Sequence, residues 1–337
     1  MILSMKFSFI LPCYNIERYM AGCLDSIYAQ DIPENEFEVI CVNDCSTDNT
    51  REIILSYAEK HPNLTLIDHT ENLTAGGARN TGIEASKGEF IWFVDPDDAI
   101  KPNSLRELYT KAREIDADVL FFNYDDADEN LKVFREDRTY PDGEVLRGQD
   151  FVLKYFKGRF STFGIIWREV YRAGFLQETG LRYPIMRKAQ DVVFLWNVML
   201  RAGRVSSLSK AFYTYRSNPY SVTKHQTLAK VAFSDRILRA AEIIKMLQQN
   251  EVLPALKAEM LRSVRWCANS DLELIAQMSE EERGRYFDEM DRHREAIKIV
   301  KPFMNRKHRI LYGMNLGKQA WLVKAGWMCI LERKKHL

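Results

Sequence analysis

The sequence predicts an α/β protein with a mainly parallel sheet flanked by helices, followed by an all-helical C-terminal region. Three observations predict this class. Apolar strand-like segments alternate with amphipathic helical segments over the first hundred residues. From about residue 226 the apolar residues recur only at helical spacing. The 337 residues are 46% hydrophobic and 28% charged, which is ordinary for a globular protein with a substantial core.

The first hundred residues contain four short apolar runs that end at turn residues, and each predicts a strand. These strands are 6–12, 37–43, 64–69 and 89–95. Amphipathic helices are predicted after Asn15, around 53–58 and over 74–86. Strands and helices that alternate in this way form a parallel sheet, and its ligands bind at the carboxyl ends of the strands. We therefore expect the polar residues after these strands to share one crevice.

The pattern changes after residue 100. A helix over 102–116 leads into a strand at 118–124, and the polar stretch that follows predicts a hairpin and loops. Residues 191–203 are apolar nearly all round, which indicates a buried helix, and 210–221 alternates like a strand that ends in a turn. The predicted domains are therefore 1–225 and 226–337.

Charge is balanced overall but unevenly distributed. The formal net charge is +1, so the overall charge of the protein does not indicate nucleic acid as a partner. Residues 301–337 carry nine Lys or Arg and one acid, a net +8, so residues 1–300 carry −7. A basic end on a mildly acidic body indicates an anionic surface as partner.

The cysteines and the N-terminus favour a cytoplasmic protein. None of the six cysteines forms a CxxC pair, and four lie in apolar or helical patterns, where free Cys behaves as a small hydrophobic residue. Residues 1–15 are apolar but lack the basic start and the small-residue cleavage site of a signal peptide. We interpret this segment as the first buried strand. No segment reaches the roughly 20 uninterrupted apolar residues of a membrane-spanning helix.

Three carboxylates follow the fourth predicted strand within four positions: Asp95, Asp97 and Asp98. One interpretation is an acidic turn that caps the next helix. The other is a clamp for a divalent cation, because hard cations such as Mg²⁺ take carboxylate oxygens and share the rest of their shell with phosphates and water. Like charges this close cost energy unless something positive lies between them.

Three other positions carry candidate site residues. Asp44 ends the second strand, where helix capping does not account for it. Residues 75–82, "AGGARNTG", place glycines and Arg79 at a helix start, which lets backbone amides approach an anion. This segment matches neither the dinucleotide-binding nor the P-loop pattern. Asp191 begins the buried helix and is either its N-cap or a general base at the mouth of the sheet.

Together these motifs resemble the family 2 glycosyltransferases of the GT-A fold, which are inverting enzymes that use nucleotide-sugar donors. The likeness is dense over 6–105, where "FEVICVNDCSTDNT", "AGGARNTG" and "FIWFVDPDD" occur in order, and it continues more loosely through "AQDVVFLW" to about 224. The order and spacing of the motifs are more specific than any one of them. The C-terminal third is not covered by the resemblance.

The resemblance implies a role for each motif residue. Asp191 would be the catalytic base, and Asp97 with His225 would ligate Mn²⁺ or Mg²⁺. Asp44 would bind the uracil and Asp95 the ribose, while Asp98 stays open between a supporting acid and a helix cap. The residues that would bind the nucleotide-sugar are Pro12, Tyr14, Asn15, Asp44, Arg79, Asp95, Arg216 and Lys224.

The implied reaction transfers a sugar from a UDP-sugar to a hydroxyl of a glycan or lipid-linked saccharide, in surface or capsular polysaccharide synthesis. Gln190 stands where the family has Glu, and this departure bears on rate or acceptor type. Two alternatives stay open. One is a catalytically weakened nucleotide-sugar-binding protein. The other is a nucleotidyltransferase, although "PCYNIERY" lacks the Gly-rich loop such an enzyme prefers after its first strand.

Residues 309–337 place apolar and aromatic side chains between basic clusters, with Trp321 and Trp327 among them. This composition is typical of a helix that lies on an anionic membrane surface. A lipid-linked acceptor would give it a purpose at the inner face of the cell membrane. A terminal helix packed on its own domain, or a homodimer contact, is the alternative.

Overall fold

The computed structural model describes residues 5–157, 163–218, 234–270 and 279–309. The chain divides into two compact units, Met1–Pro219 and Tyr220–Leu337. The predicted domain boundary between residues 225 and 226 lies outside the described residues.

The first unit alternates strands and helices along the chain, as the sequence predicts. The strands are β1 (Phe7–Cys13), β2 (Phe37–Asn43), β3 (Leu64–Asp68), β4 (Phe90–Phe93), β5 (Ala99–Ile100), β6 (Val119–Ala127), β7 (Val133–Glu136), β8 (Glu169–Arg172) and β9 (Val205–Arg216). The helices are α1 (Glu17–Tyr28), α2 (Thr50–Ala58), α3 (Thr74–Ala85), α4 (Leu105–Ile115), α5 (Gly148–Tyr155), α6 (Ala173–Thr179) and α7 (Gln190–Arg201).

In the described residues nine strands form one sheet in the order β3-β2-β1-β4-β8-β6-β9-β5, with β7 paired to β6. β1 pairs in parallel with both β2 and β4, and β3 pairs in parallel with β2. β8 runs antiparallel between β4 and β6, and β9 lies parallel to β6. The predicted parallel arrangement of the first four strands is confirmed, and their carboxyl ends therefore lie at one edge of the sheet.

The centre of the sheet is buried because its strands carry apolar side chains on both faces. β2 and β6 bury every residue, and β1 buries all but Pro12. Met20 and Leu24 of α1 and Leu108 of α4 join one apolar cluster with residues of the sheet, among them Trp92 of β4. Burying one such side chain stabilises the fold by roughly 1.5–3 kcal/mol. The loops at the strand ends therefore start from a rigid base.

β9 begins earlier along the chain than the alternating pattern predicts, at Val205. Its first residues include two buried serines. The Ser206 hydroxyl donates to the Gly143 carbonyl at 2.7 Å, and the Ser207 hydroxyl donates to the Pro141 carbonyl at 2.9 Å. Because these hydrogen bonds satisfy the buried hydroxyls, the strand accepts polar residues that a hydrophobicity pattern does not detect.

The described part of the second unit contains helices and no strand. They are α8 (Ser234–Gln249), α9 (Pro254–Asn269), α10 (Glu280–Arg292) and α11 (Arg294–Val300). α8 packs against both α9 and α11, and Ser279 caps α10 reciprocally with Glu282. In the portion of the chain that is described, we find no helix of the length and hydropathy that crossing a membrane requires. The predicted tail contact lies beyond Arg309, outside the described residues.

Candidate active site

The candidate site lies at the edge of the sheet where β1, β2 and β4 end. Asp44 follows β2, and its backbone N–H donates to the Cys13 carbonyl at the end of β1, 2.8 Å away. Asp95 follows β4, where the Val94 N–H still donates to the Ile10 carbonyl of β1 at 3.0 Å. Because adjacent strands lie about 4.8 Å apart, Asp44 and Asp95 approach one crevice from either side of β1.

The residues predicted for the nucleotide end surround the end of β1. Pro12 is part of this strand, and Tyr14 follows it with 52% of its surface exposed. Asn15 adopts a left-handed backbone with φ 50°, and its Oδ1 accepts from the Thr47 N–H at 2.8 Å. The structure therefore joins this loop to the loop that follows Asp44.

Asp44 is buried, and neighbouring groups hold its carboxylate in one orientation. Its Oδ1 accepts from the Leu73 N–H at 2.8 Å and lies 2.8 Å from Nδ1 of His69. Nε2 of His69 lies 2.9 Å from the Thr81 hydroxyl on α3. A carboxylate only accepts hydrogen bonds, so Nδ1 of His69 carries the hydrogen. The carboxylate predicted to bind the base is thus oriented before any ligand arrives.

Arg79 joins the two sides of the site. Its side chain is 5% exposed, and it donates from Nη2 to Asp95 Oδ1 at 2.8 Å and from Nη1 to Asp191 Oδ1 at 2.9 Å. Its guanidinium also lies 5.4 Å from the centre of the Tyr183 ring. Burial opposes the charge, but Asp191 and Asp95 outweigh burial and raise the pKa of Arg79. Two predicted site acids therefore share one permanent cation.

Asp191 lies in the first turn of α7 and does not cap it, because the cap position belongs to Ala189. Burial raises the pKa of Asp191 to about 6; Arg79 lowers this pKa and Asp95 raises it. Such a carboxylate is mostly ionised at neutral pH, yet it accepts a proton more readily than an ordinary Asp. These are the properties that a general base needs.

The turn after β4 places its three acids in different environments. Asp98 is fully buried; the Tyr213 hydroxyl donates to its Oδ2 and the Arg216 N–H donates to its Oδ1, each at 2.8 Å. Burial and the nearby charges of Asp97 and Asp95 raise the pKa of Asp98. Asp98 therefore fastens the turn to β9 and does not serve as a helix cap.

Asp97 keeps one oxygen, Oδ1, that receives no hydrogen bond from any other described residue. Its Oδ2 accepts from Asn218 Nδ2 at 3.0 Å. Burial and Asp95 raise the pKa of Asp97, while the Asn218 hydrogen bond lowers it. A divalent cation would relieve this crowding of negative charge, and its chemistry suits a carboxylate oxygen.

The rest of a metal shell is not supplied by the described residues. Among them, no group of three His, Cys, Asp or Glu side chains is arranged to hold an ion. His225, the second predicted ligand, lies outside the described residues. Phosphate oxygens and water usually fill much of the shell of Mg²⁺, and they could do so for an ion on Asp97 whether or not His225 is a ligand.

Arg216 was predicted to reach the diphosphate, and the structure places its side chain in contacts within the protein. Its Nε donates to the Asp97 carbonyl at 2.7 Å, and its Nη1 donates to the Glu129 carbonyl at 3.0 Å. The guanidinium lies 4.9 Å from the centre of the Tyr19 ring. Arg216 thus holds the acidic turn against α1 and the β6–β7 loop. Lys224 lies outside the described residues.

Gln190 links the start of α7 to the start of α3. With its amide oriented to satisfy both neighbours, Nε2 donates to the Met186 carbonyl at 2.6 Å and Oε1 accepts from the Gly76 N–H at 3.2 Å. Glycine at position 76 leaves room for this contact. A Cβ there would lie 3.2 Å from both Gln190 Cδ and Tyr183 Cβ, which is closer than side chains normally pack. The departure from the family pattern has a local reason, because an amide donates to a carbonyl and a carboxylate does not.

We expect Gln190→Glu to lower the free energy of unfolding by about 1–3 kcal/mol at pH 7.5, because a carboxylate would face the Met186 carbonyl without a hydrogen between them. The loss should shrink towards pH 5, where the new acid becomes protonated and can donate. Urea denaturation at both pH values measures this change. Gln190→Met, which removes the hydrogen bonds without adding charge, should show a loss independent of pH. Equal stability of Gln190→Glu and the wild type at pH 7.5 would contradict the assignment.

Several residues of the site were not singled out from the sequence. His69 directly follows β3, so the same strand-end rule that located Asp44 also indicates His69. Tyr183 follows no strand, and no sequence signal identifies it. Asn218 lies two residues beyond the end of β9, so the strand-end rule, applied to this strand as well, also indicates Asn218. Their contacts with Arg79 and Asp97 arise only from packing.

Comparison with known proteins identifies the family. Residues 8–175 match Glycosyl transferase family 2. The uncharacterized glycosyltransferase YibD of Escherichia coli K12 is 30% identical over 251 residues, which are 73% of this chain and 72% of that protein. The chain therefore belongs to the family 2 glycosyltransferases, as the motifs predict.

Other relatives are longer than this chain. The poly(ribitol-phosphate) beta-glucosyltransferase of Bacillus spizizenii is 29% identical over 262 residues, which cover 76% of this chain and 39% of that relative. The crystal structure of Staphylococcus aureus TarS 1-349 in complex with UDP superposes with a TM-score of 0.62 and 26% identity. That match covers 92% of this chain and 87% of the TarS chain, and it confirms the predicted fold class.

Proposed function

We propose that this protein is an inverting glycosyltransferase that moves a sugar from a UDP-sugar to a hydroxyl of a glycan or lipid-linked saccharide in surface polysaccharide synthesis. The observation that carries the proposal is the double ion pair of Arg79, which holds Asp95 and Asp191 on either side of one cation. This pairing keeps a proton acceptor, Asp191, beside a crevice that suits a negatively charged sugar donor. The poly(ribitol-phosphate) beta-glucosyltransferase and TarS, which was solved with UDP, support the same class of reaction.

The donor would bind along the ends of β1, β2 and β4. Asp44 presents an oriented carboxylate to the uracil, and the exposed ring of Tyr14 offers an apolar face beside it. Asp95 would accept from a ribose hydroxyl while it stays paired with Arg79. Pro12 and Asn15 would complete this end of the crevice.

Asp97 would bind the metal and so stand next to the diphosphate. Mn²⁺ or Mg²⁺ at this carboxylate would neutralise the charge that develops on the diphosphate when the anomeric bond breaks. Asn218 orients the carboxylate by donating to its Oδ2, and Arg216 holds the backbone of the same residue. These two residues would position Asp97 and have no part in the chemical step.

Asp191 would act as the base. The acceptor oxygen forms its bond to the anomeric carbon from the face opposite the departing UDP, and the hydroxyl proton passes to the Asp191 carboxylate. The bond from the anomeric carbon to the diphosphate oxygen breaks in the same step, so configuration inverts. The pKa of Asp191, raised to about 6, lets it be ionised at neutral pH and still take the proton.

UDP should stabilise the full chain against thermal unfolding, and the effect should depend on Mn²⁺. At a UDP concentration about 100 times Kd the stabilisation amounts to about 2.7 kcal/mol. Thermal shifts with and without Mn²⁺, followed by assays of UDP release from a panel of UDP-sugars, test this expectation. Asp97→Asn should abolish the part that depends on Mn²⁺, whereas a shift of the same size without metal would argue against a metal on Asp97.

The same assays separate the alternatives. A nucleotidyltransferase would release pyrophosphate from a nucleoside triphosphate and a sugar phosphate. A catalytically weakened nucleotide-sugar-binding protein would show the thermal shift and release no UDP. If the protein neither binds UDP nor releases it from any UDP-sugar, the proposed function is wrong.

We further propose a peripheral cytoplasmic location, with residues 309–337 in contact with the inner face of the cell membrane. The support is the composition of the segment, which combines basic clusters with Trp321 and Trp327. The protein should sediment with vesicles that contain anionic lipid and remain unbound to neutral vesicles. Binding to neither, together with a dimer mass in light scattering, would favour a homodimer contact instead.

A further inference from the structure

His69 connects the site's base-binding carboxylate to helix α3. Its Nδ1 lies 2.8 Å from Asp44 Oδ1, and its Nε2 lies 2.9 Å from the Thr81 hydroxyl. The imidazole and Asp44 are both nearly inaccessible, with 9% and 3% of their side-chain surfaces exposed. The His69 backbone is fixed too, because its N–H donates to the Asn43 carbonyl at 3.0 Å. Each polar atom of the ring therefore has a partner, and the ring has little freedom to turn.

The two oxygens of Asp44 are used differently. Oδ1 accepts from the Leu73 N–H at 2.8 Å and from His69. Oδ2 receives no hydrogen bond from any other described residue. Two donors on one oxygen fix the plane of the carboxylate and leave the second oxygen as an acceptor of known direction. A carboxylate with this geometry suits a ligand that supplies one N–H group.

We propose that His69, supported by Thr81, is a positioning residue that fixes Asp44 so that the site distinguishes uracil from cytosine in nucleoside diphosphates. The inference rests on the proposed function, because it takes UDP as the nucleotide of the donor. Uracil carries a hydrogen on N3 and can donate to Asp44 Oδ2. Cytosine has a lone pair on N3, which would face the carboxylate without a hydrogen between them.

The discrimination depends on how rigidly Asp44 is held. A carboxylate free to rotate would turn away from cytosine and let water bridge the gap, so that the unfavourable contact would be relieved. A carboxylate held by His69 and Leu73 cannot do so, and an unpaired polar contact remains. A purely structural role for His69, as a link between β3 and α3, would affect folding and leave the preference for uracil unchanged.

The test measures the ratio of Kd for CDP to Kd for UDP by calorimetry on the full chain with Mn²⁺. The wild type should bind UDP at least about tenfold more tightly, as a hydrogen bond to a charged group implies. His69→Phe keeps a ring of similar size without its nitrogens, and we expect it to reduce the ratio by about tenfold or to abolish it. Asp44→Asn, whose amide can donate to the N3 lone pair of cytosine, should abolish or invert the preference.

Thr81→Val is the milder variant and decides the matter if His69→Phe does not fold. It removes only the hydroxyl and should lower the ratio in the same direction by a smaller factor. His69→Gln, which restores a donor towards Asp44, should keep more of the ratio than His69→Phe. An unchanged ratio in folded His69→Phe and Thr81→Val would overturn the inference and leave the proposed function standing. If the wild type binds neither nucleotide, both are overturned.

Discussion

Asp191→Asn is expected to lower kcat by roughly 10²–10⁴-fold and to leave the affinity for UDP almost unchanged. The amide has the size of the carboxylate, and its oxygen can still accept a hydrogen bond from Arg79 Nη1. In the wild type this nitrogen lies 2.9 Å from Asp191 Oδ1. It cannot take the proton of the acceptor hydroxyl. Single-turnover transfer rates and calorimetric UDP binding measure the two effects separately.

Asp126→Asn is a matched control for this variant. Asp126 is likewise paired with an arginine, Arg135, at 2.7 Å, but it belongs to the β6–β7 hairpin and follows none of the strands β1, β2 and β4 that precede the predicted donor site. Its rate should equal that of the wild type. If Asp191→Asn keeps more than about a tenth of kcat, the base is a different group.

The wild-type rate should also depend on the ionisation of Asp191. Its pKa is raised to about 6 by burial, and only the ionised form can accept a proton. The rate should therefore be constant above about pH 7 and fall about tenfold for each pH unit well below 6. If the rate begins to fall only near pH 4, the ordinary pKa of an Asp side chain, then the pKa of Asp191 is not raised as described.

Arg79→Met is expected to lower the free energy of unfolding by about 3 kcal/mol at pH 7.5 and to reduce kcat/KM by at least about 100-fold. The substitution removes a buried cation and leaves two carboxylates that repel each other. We take the low end of the range for a broken buried pair because Asp95 and Asp191 keep 31% and 32% of their side chains exposed. Urea denaturation and steady-state kinetics measure the two losses.

The stability loss in Arg79→Met should vary with pH in a defined direction. The pKa of Asp191 is already raised in the folded protein, so this group favours folding below about pH 4 and loses that contribution as pH rises through 6. Without Arg79 the pKa of Asp191 rises further, so the ionised carboxylate destabilises the folded protein more at neutral pH than it does in the wild type. The difference in stability from the wild type should therefore be larger at pH 7.5 than at pH 5. The acid limb of the rate profile should move to higher pH for the same reason.

Arg79→Lys provides the comparison. It keeps the charge but cannot donate to both carboxylates in the forked geometry of a guanidinium, so its losses should lie between those of the wild type and Arg79→Met. A double-mutant cycle with Asp95→Asn isolates the part of the effect that belongs to that pair. If Arg79→Met leaves both the stability and the acid limb unchanged, the two acids do not depend on the shared cation.

The strand-end rule explains why much of the site could be located from sequence. Asp44 and Asp95 follow apolar runs whose lengths and turn residues are local properties, and parallel strands bring their ends to one edge. The pairing of Arg79 with Asp191 is different, because these residues are 112 positions apart and their contact depends on how α7 packs beside α3. The roles within the acidic turn were also undetermined, since only packing shows that Asp98 bonds to β9 while Asp97 keeps an oxygen available.

The sequence by itself determined the family, the alternation of strands and helices, and the residue types at the mouth of the sheet. Each of these is a local pattern, and a local pattern can be recognised without knowing which residues meet in the folded protein. The tertiary structure decided which of the acids have a raised pKa and which are buried supports. It also decided that Arg216 and Gln190 form contacts within the protein. Those properties depend on burial and on charges that meet only after folding, because a carboxylate's pKa is set by its solvent and its neighbours in space.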